Sequence, residues 1–348
     1  MYSESDLQAA VEAGAISAEA ADALRNHVAT LRSSPLVDEE NFRLLTGFND
    51  IFVSIASIIL LVAVGWLGAA VPLIGHGPLI AAAAWGLAEY FTRIRRMALP
   101  SILLLLAFAG GVGFPLFEIA GRIGENVHNR GDALLWAGAA ALTAGAIWLH
   151  WLRFKVPITV AAGALALACL AMALILAAVP QLAQMGKAFF WLVLLAGIGI
   201  FALAMWWDMQ DRSRTTRRAD VAFWLHLAAA PMIAHSMFKL LGVFDGTMGI
   251  GMAVTVLLLY VAFGLVALAI DRRALLVSSL AYVLYALYAL FEQAGVVELS
   301  AAFTALVIGS ALLLLSALWH KARKLVVEKL PGGIRMRLPY LDREFAAA

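Results

Sequence analysis

The run "VAFWLHLAAAPMIAHSMFKLLGVFDG", residues 221–246, sets two histidines, a lysine and a proline among apolar residues. A second run, "ALLVSSLAYVLYALYALFEQ" at 274–293, carries three tyrosines and a glutamate in a similar setting. Such groups can move protons, hold a cation or bind a polar ligand. His226 and His235 are nine residues apart, which at about 100° per residue places them on opposite helix faces. Metal ligands on a straight helix need a spacing of three or four, so the pair does not read as a metal site, even with Pro231 between them to bend the chain. His226 stands near Arg217 and Arg218 and is expected to reach polar surroundings, whereas His235 lies deeper. Lys239 shares a face with His235 and can extend its stem toward water.

On a helix, Ser278, Tyr282, Tyr285, Tyr288 and Glu292 project within an arc of about 120°. A buried hydroxyl needs a partner, and Glu292 has no basic residue four positions onward. The stripe reads either as phenols packed against neighbouring helices or as the wall of a hydrated ligand cleft. A third segment, "AFAGGVGFPLFE", places Gly110, Gly111, Gly113 and Pro115 near the middle of an apolar run. It reads either as a broken helix exposing backbone to a ligand or as a surface for close helix packing. Glu118 lies one turn beyond. The candidate ligand-binding set is therefore Tyr282, Tyr285, Tyr288, Glu292, His235, Lys239 and Glu118. No metal set and no cofactor motif is found.

These residues need a scaffold that lies in lipid. The chain has 348 residues, 63% hydrophobic and 14% charged, with mean hydropathy +0.89. A soluble domain is nearer half apolar and a quarter charged. Apolar runs of membrane-spanning length predict an all-α integral membrane protein of about ten helices. The expected spans are 51–71, 78–92, 100–120, 132–151, 157–179, 188–207, 221–241, 249–270, 274–293 and 299–319. The second is the weakest, and nine is the competing count. Net charge is only +2, which gives no footprint for nucleic acid. Cys169 is the one cysteine, so an intramolecular disulfide is excluded. The polar, acidic opening does not read as a cleavable signal, so none is expected.

The turns set the orientation. "TRIRRM", "RFK", "DRSRTTRR" and "DRR" all fall on one side of a ten-span chain, with 21 of the 25 Lys and Arg. Only Arg122, Arg130, Lys187 and Lys239 fall opposite. Because Lys and Arg stay cytoplasmic during insertion, both termini are expected in the cytoplasm. The basic turns recur 55 to 65 residues apart, as in any hairpin membrane protein or as from duplicated hairpins. Glu89–Arg93, Glu118–Arg122 and Asp208–Arg212 have the favoured spacing of surface ion pairs. Trp148, Trp151, Trp206 and Trp207 fit an interfacial belt.

Residues 1–34 read as a cytoplasmic helical hairpin, with Ser3 and Asp6 at capping-box spacing, a stop at Gly14 and a restart at Ser17. Residues 35–50 read as an interfacial amphipathic segment beginning at Asp38, residues 51–319 as the bundle, and 320–348 as a basic cytoplasmic tail. In the tail, Ile334, Met336 and Leu338 alternate with arginines, which predicts a short strand or an extended surface segment. The opening "LQAAVEAGAISAEAADAL" resembles bacterial predicted-membrane-protein families of unknown function, whose members begin with a similar hairpin before many spans. The resemblance implies a bacterial inner-membrane protein and no activity.

Residues 1–50 hold nine acidic and three basic residues, and 320–348 seven basic and three acidic. The two tails either dock on each other or, alternatively, the basic tail meets anionic lipid. Three functions compete. The first is a permease or channel-like protein with a small-molecule or ion site in the outer half. The second is a scaffold or regulator, recruiting a cytoplasmic protein partner through 1–34 and 320–348. The third is an enzyme acting on lipid or an envelope precursor, for which only the loose group Glu125, His128 and Asp132 in "GRIGENVHNRGD" speaks.

Overall fold

The computed structural model describes Leu7 and residues 10–31, 48–70, 75–124, 130–212, 214, 216–243, 249–293 and 300–341. The chain divides into two units, Met1–Phe42 and Arg43–Ala348. In the first, helix α1 (Ala18–Leu31) begins where the Ser17 hydroxyl accepts from Ala20 N at 3.1 Å. Gly14 turns the preceding chain at φ 68°. Ser3, Asp6 and the segment from Asp38 to residue 47 lie outside the described residues.

In the second unit every regular element among the described residues is helical: α2 (Phe48–Ala69), α3 (His76–Ala88), α4 (Ala98–Ile123), α5 (Arg130–Phe154), α6 (Ile158–Ala178), α7 (Gln181–Gln184), α8 (Ala188–Gln210), α9 (Arg217–Leu241), α10 (Ile250–Ile270), α11 (Ala274–Gln293), α12 (Ser300–Ala317), α13 (Trp319–Glu328) and α14 (Gly332–Arg335). Eight of these are long and apolar enough to cross a membrane. A ninth is added if Ala302–Ala317 and Trp319–Glu328, bent by 76°, count as one span. The chain is thus a multi-pass membrane protein. Helix α3 continues without a break into a π-helical turn, Glu89–Ile94.

Large side chains such as Leu104, Leu105, Leu225 and Phe238 are buried, but on α5 the inward face is mostly small residues, among them Ala133, Ala137 and Ala140, while Leu134, Leu142 and Leu149 point out. This suits lipid, where helices gain nothing from hiding leucine and associate through close backbone approach. Helices α2 to α5 pack as one group and α8 to α12 as another, joined through α6 against α9.

The glycine-rich third span is a correction. Helix α4 runs unbroken through Gly110, Gly111, Gly113 and Pro115. A Cβ on Gly111 would stand 2.7 Å from Gly77 O, and one on Gly77 would stand 2.7 Å from Gly111 O and from the Pro115 ring. Small residues here let α3 and α4 touch backbone to backbone. The neighbouring helix supplies the packing, so no opening is needed.

The basic turns share a backbone feature. Among the described residues, four non-glycine residues have positive φ: Arg96, Lys155, Arg214 and Asp271, one in each basic turn. A left-handed residue is a common way to end a helix, as at Arg96, Lys155 and Asp271, while Arg214 lies in the link between α8 and α9; all four are charged. The predicted C-terminal strand is also corrected. Gly332–Arg335 is a helical turn after Pro331, with Ile334 N and Arg335 N bonded to Pro331 O. No strand stands among the described residues. Ile334 and Met336 are exposed, and only Leu338 turns in, against Ile270 and Val327.

Candidate functional site

Two polar loci lie on α9, on either side of Pro231, which the helix carries without interruption. One lies toward its C-terminal end. There His235 Nδ1 and the Tyr282 hydroxyl of α11 share a hydrogen bond. The Phe238 ring stacks on Tyr282 at 4.1 Å and 16°, and Phe190 of α8 stands 6.0 Å from the imidazole. Phe238 is wholly buried in the cluster formed by α9, α10 and α11, whereas His235 is exposed on the bundle surface. The rest of the predicted set is only partly assembled. Tyr285 and Tyr288, about one and two turns beyond Tyr282, are each 38% exposed on the outward side of α11. Lys239 is half-buried on α9. The Glu292 side chain lies outside the described residues. Glu118 sits on α4, which packs with α2, α3 and α5, and it pairs with Arg122. It belongs to the other helical group.

The second locus was not foreseen. Asp208, in the last turn of α8 and 1% exposed, receives His226 Nε2 at 3.0 Å and Arg272 Nη2 at 2.9 Å. Arg214 Nη2 stands 3.9 Å away. The expected pairing of Asp208 with Arg212 does not form. Arg212 instead donates to Leu338 O at 2.8 Å and lies over the Tyr340 ring. His226 does reach polar surroundings, but these are a buried ion network rather than the membrane surface.

The network extends through the turns. Arg214 donates to Asp271 Oδ2 at 3.0 Å and to Ile270 O at 2.8 Å. Trp319 Nε1 donates to Asp271 Oδ1 at 2.8 Å. Arg323 stands 3.6 Å from the same oxygen and donates to Pro339 O and Tyr340 O. Asp211 accepts from Thr216 N and Oγ1, and the Thr216 oxygen caps α9 through Arg218 N. Burial opposes the charge on Asp271, but Arg214, Arg323, Trp319 and Arg272 together outweigh it and hold its carboxyl below the ordinary range. Burial, then repulsion from Arg272, brings the Arg214 guanidinium down to about 10, which Asp208 and Asp271 partly oppose. Both groups stay ionised near neutrality. This arrangement ties α8, α9, the α10–α11 turn and the C-terminal arm together.

The Glu89–Arg93 pair forms at 3.2 Å and gains Arg153 at 2.6 Å from the end of α5. Close by, His150 is 1% exposed in a box of Trp85, Phe108 and Phe154, with ring centroids 4.6 to 5.9 Å away. Its one sequence signal was a histidine one turn inside a basic turn. Glu125 and His128 lie outside the described residues, and Asp132 is buried. Among the described residues no three His, Cys, Asp or Glu side chains cluster as a metal site. No protein family, curated protein or solved structure matches the chain.

Proposed function

We infer that the chain is a ten-span protein of a bacterial inner membrane, with both termini cytoplasmic, and that it works as a permease or channel-like protein. Ten follows from the eight long helices if the helix 76–94, with its π-turn, and α12 each cross once. The helix 76–94 reaches about 26–28 Å, near the hydrocarbon thickness. On this orientation the ion network lies at the cytoplasmic end and the His235–Tyr282 pair in the outer half.

The observation that carries the permease reading is that pair. Polar groups bridging two membrane helices are costly and mark ligand or ion paths. The exposed tyrosines beyond it continue a polar track along α11. A small molecule or ion is the substrate class. The test is uptake by cells expressing the full chain, measured with a labelled amino acid, a sugar, a polyamine and a monovalent cation. Loss of one such hydrogen bond, worth about 0.5–1.5 kcal/mol, lowers affinity about two- to tenfold. Tyr282→Phe and His235→Gln are each expected to show that loss for whichever probe the wild type imports. Import unchanged in both variants, or no import by the wild type, would end this reading.

A second reading is favoured by the stacking of Tyr282 on wholly buried Phe238, which resembles packing more than a cleft. It makes the protein a scaffold whose exposed Lys321, Lys324, Lys329, Arg335 and Arg337 meet a cytoplasmic partner. Residues 1–34 would then take part as a second contact.

A further inference from the structure

Helices α5, α6 and α8 enclose an apolar groove of about 600 Å³. That volume lies within the range of about 300–1,000 Å³ usual for small-molecule sites. Its floor is built from residues with little or no side chain, including Gly145, Gly163 and Ala164. Trp148, Trp151 and Trp207 stand around it, and Trp148 and Leu167 reach the outside of the bundle. The groove lies near the end that bears the basic turns, since Trp151, Thr159 and Trp207 all flank those turns.

Two polar features bear on the occupant. Lys155 Nζ lies 5.1 Å from the centroid of the Trp151 ring, which places a cation beside the groove. Thr159 is the one hydroxyl-bearing residue of the lining, and its buried Oγ1 has no hydrogen-bond partner among the described residues. Apolar walls, indoles at interfacial depth, a hydroxyl and a cation follow in that order what an anionic phospholipid presents from tail to head. We propose that this groove binds one acyl chain of an anionic phospholipid. Its phosphate pairs with Lys155, and Thr159, by turning its hydroxyl toward the groove, donates to an ester carbonyl.

The site is independent of the His235–Tyr282 locus. Occupancy would brace α8 against the α5–α6 hairpin. Gly145 offers a clean test, because a Cβ built there meets nothing within 4 Å. Gly145→Leu therefore adds bulk to the groove lining from a Cβ position that meets no neighbour.

The measurement is native mass spectrometry of the full chain in mild detergent, titrated with phosphatidylglycerol and with phosphatidylcholine. The wild type is expected to retain one phosphatidylglycerol with about fivefold preference, the worth of one lysine near the headgroups. Gly145→Leu is expected to lose the bound lipid. Lys155→Gln is expected to keep lipid and lose the preference. Equal retention by Gly145→Leu and wild type would overturn the proposal. So would a wild type with no preference, or a dimer that Gly145→Leu dissociates, since the groove would then hold a second copy of the chain.

Discussion

Asp208→Asn is expected to destabilise the bundle by about 3–5 kcal/mol, because it removes the charge that balances buried cations. Asp208 is the carboxylate bonded to Arg272, which also donates to the carbonyl of Ala219. His226 and Arg214 lose the same anion. Taking Arg272 away alone leaves the reverse fault, so Arg272→Gln should also be costly. The double variant should be less unstable than the two losses added together, because neither charge is then left unpaired. Glu118→Gln provides the contrast. Its partner Arg122 is 76% exposed in its side chain, so the loss should stay within about 1 kcal/mol. Detergent-induced unfolding followed by tryptophan fluorescence reads all four. An Asp208→Asn protein as stable as Glu118→Gln would mean that the network is not a structural clasp.

Gly111→Ala should cost about 1–3 kcal/mol by overpacking, while Gly110→Ala, one residue away, should be neutral or mildly stabilising. A Cβ at Gly111 would stand 2.7 Å from Gly77 O and 2.8 Å from Ala81 N, both backbone atoms that cannot swing aside. Helices α3 and α4 would have to separate. At Gly110 the new methyl meets nothing within 4 Å, and a helical alanine gains about 1 kcal/mol over glycine. The same unfolding assay separates the two. Equal effects would point to a flexible or opened helix at 110–115 in place of a packing contact.

What could be read in advance followed the range of the interaction. Long apolar runs are local, and the helices α2, α4 to α6 and α8 to α11 appear close to the expected spans. The pairs Glu89–Arg93 and Glu118–Arg122 are local too, and both form. Asp208 misled for that reason. A basic residue four positions on offered a ready partner, whereas its true partners lie 18 and 64 residues away. Nothing in one chain announces such pairings, although acids recur where α8 and α10 end, at Asp208, Asp211 and Asp271.

The same limit applies to the candidate site. Periodicity placed Tyr282, Tyr285 and Tyr288 on one broad arc, but 120° is wide enough to hold both an inward and an outward edge. Tyr282 meets His235, and the other two face out. The glycines at 110–113 were legible as an exception to helix composition. Only the facing Gly77 shows that the exception serves packing.

The end of the bundle that faces the cytoplasm decides on which side the ion network and the His235–Tyr282 pair act. Single cysteines in a Cys169→Ser chain, at exposed Gly186 and exposed Lys329, probe opposite ends with a membrane-impermeant maleimide. Labelling of Gly186→Cys in intact cells, with Lys329→Cys labelled only after lysis, is the predicted result. Labelling of both positions from one side of the membrane would contradict it.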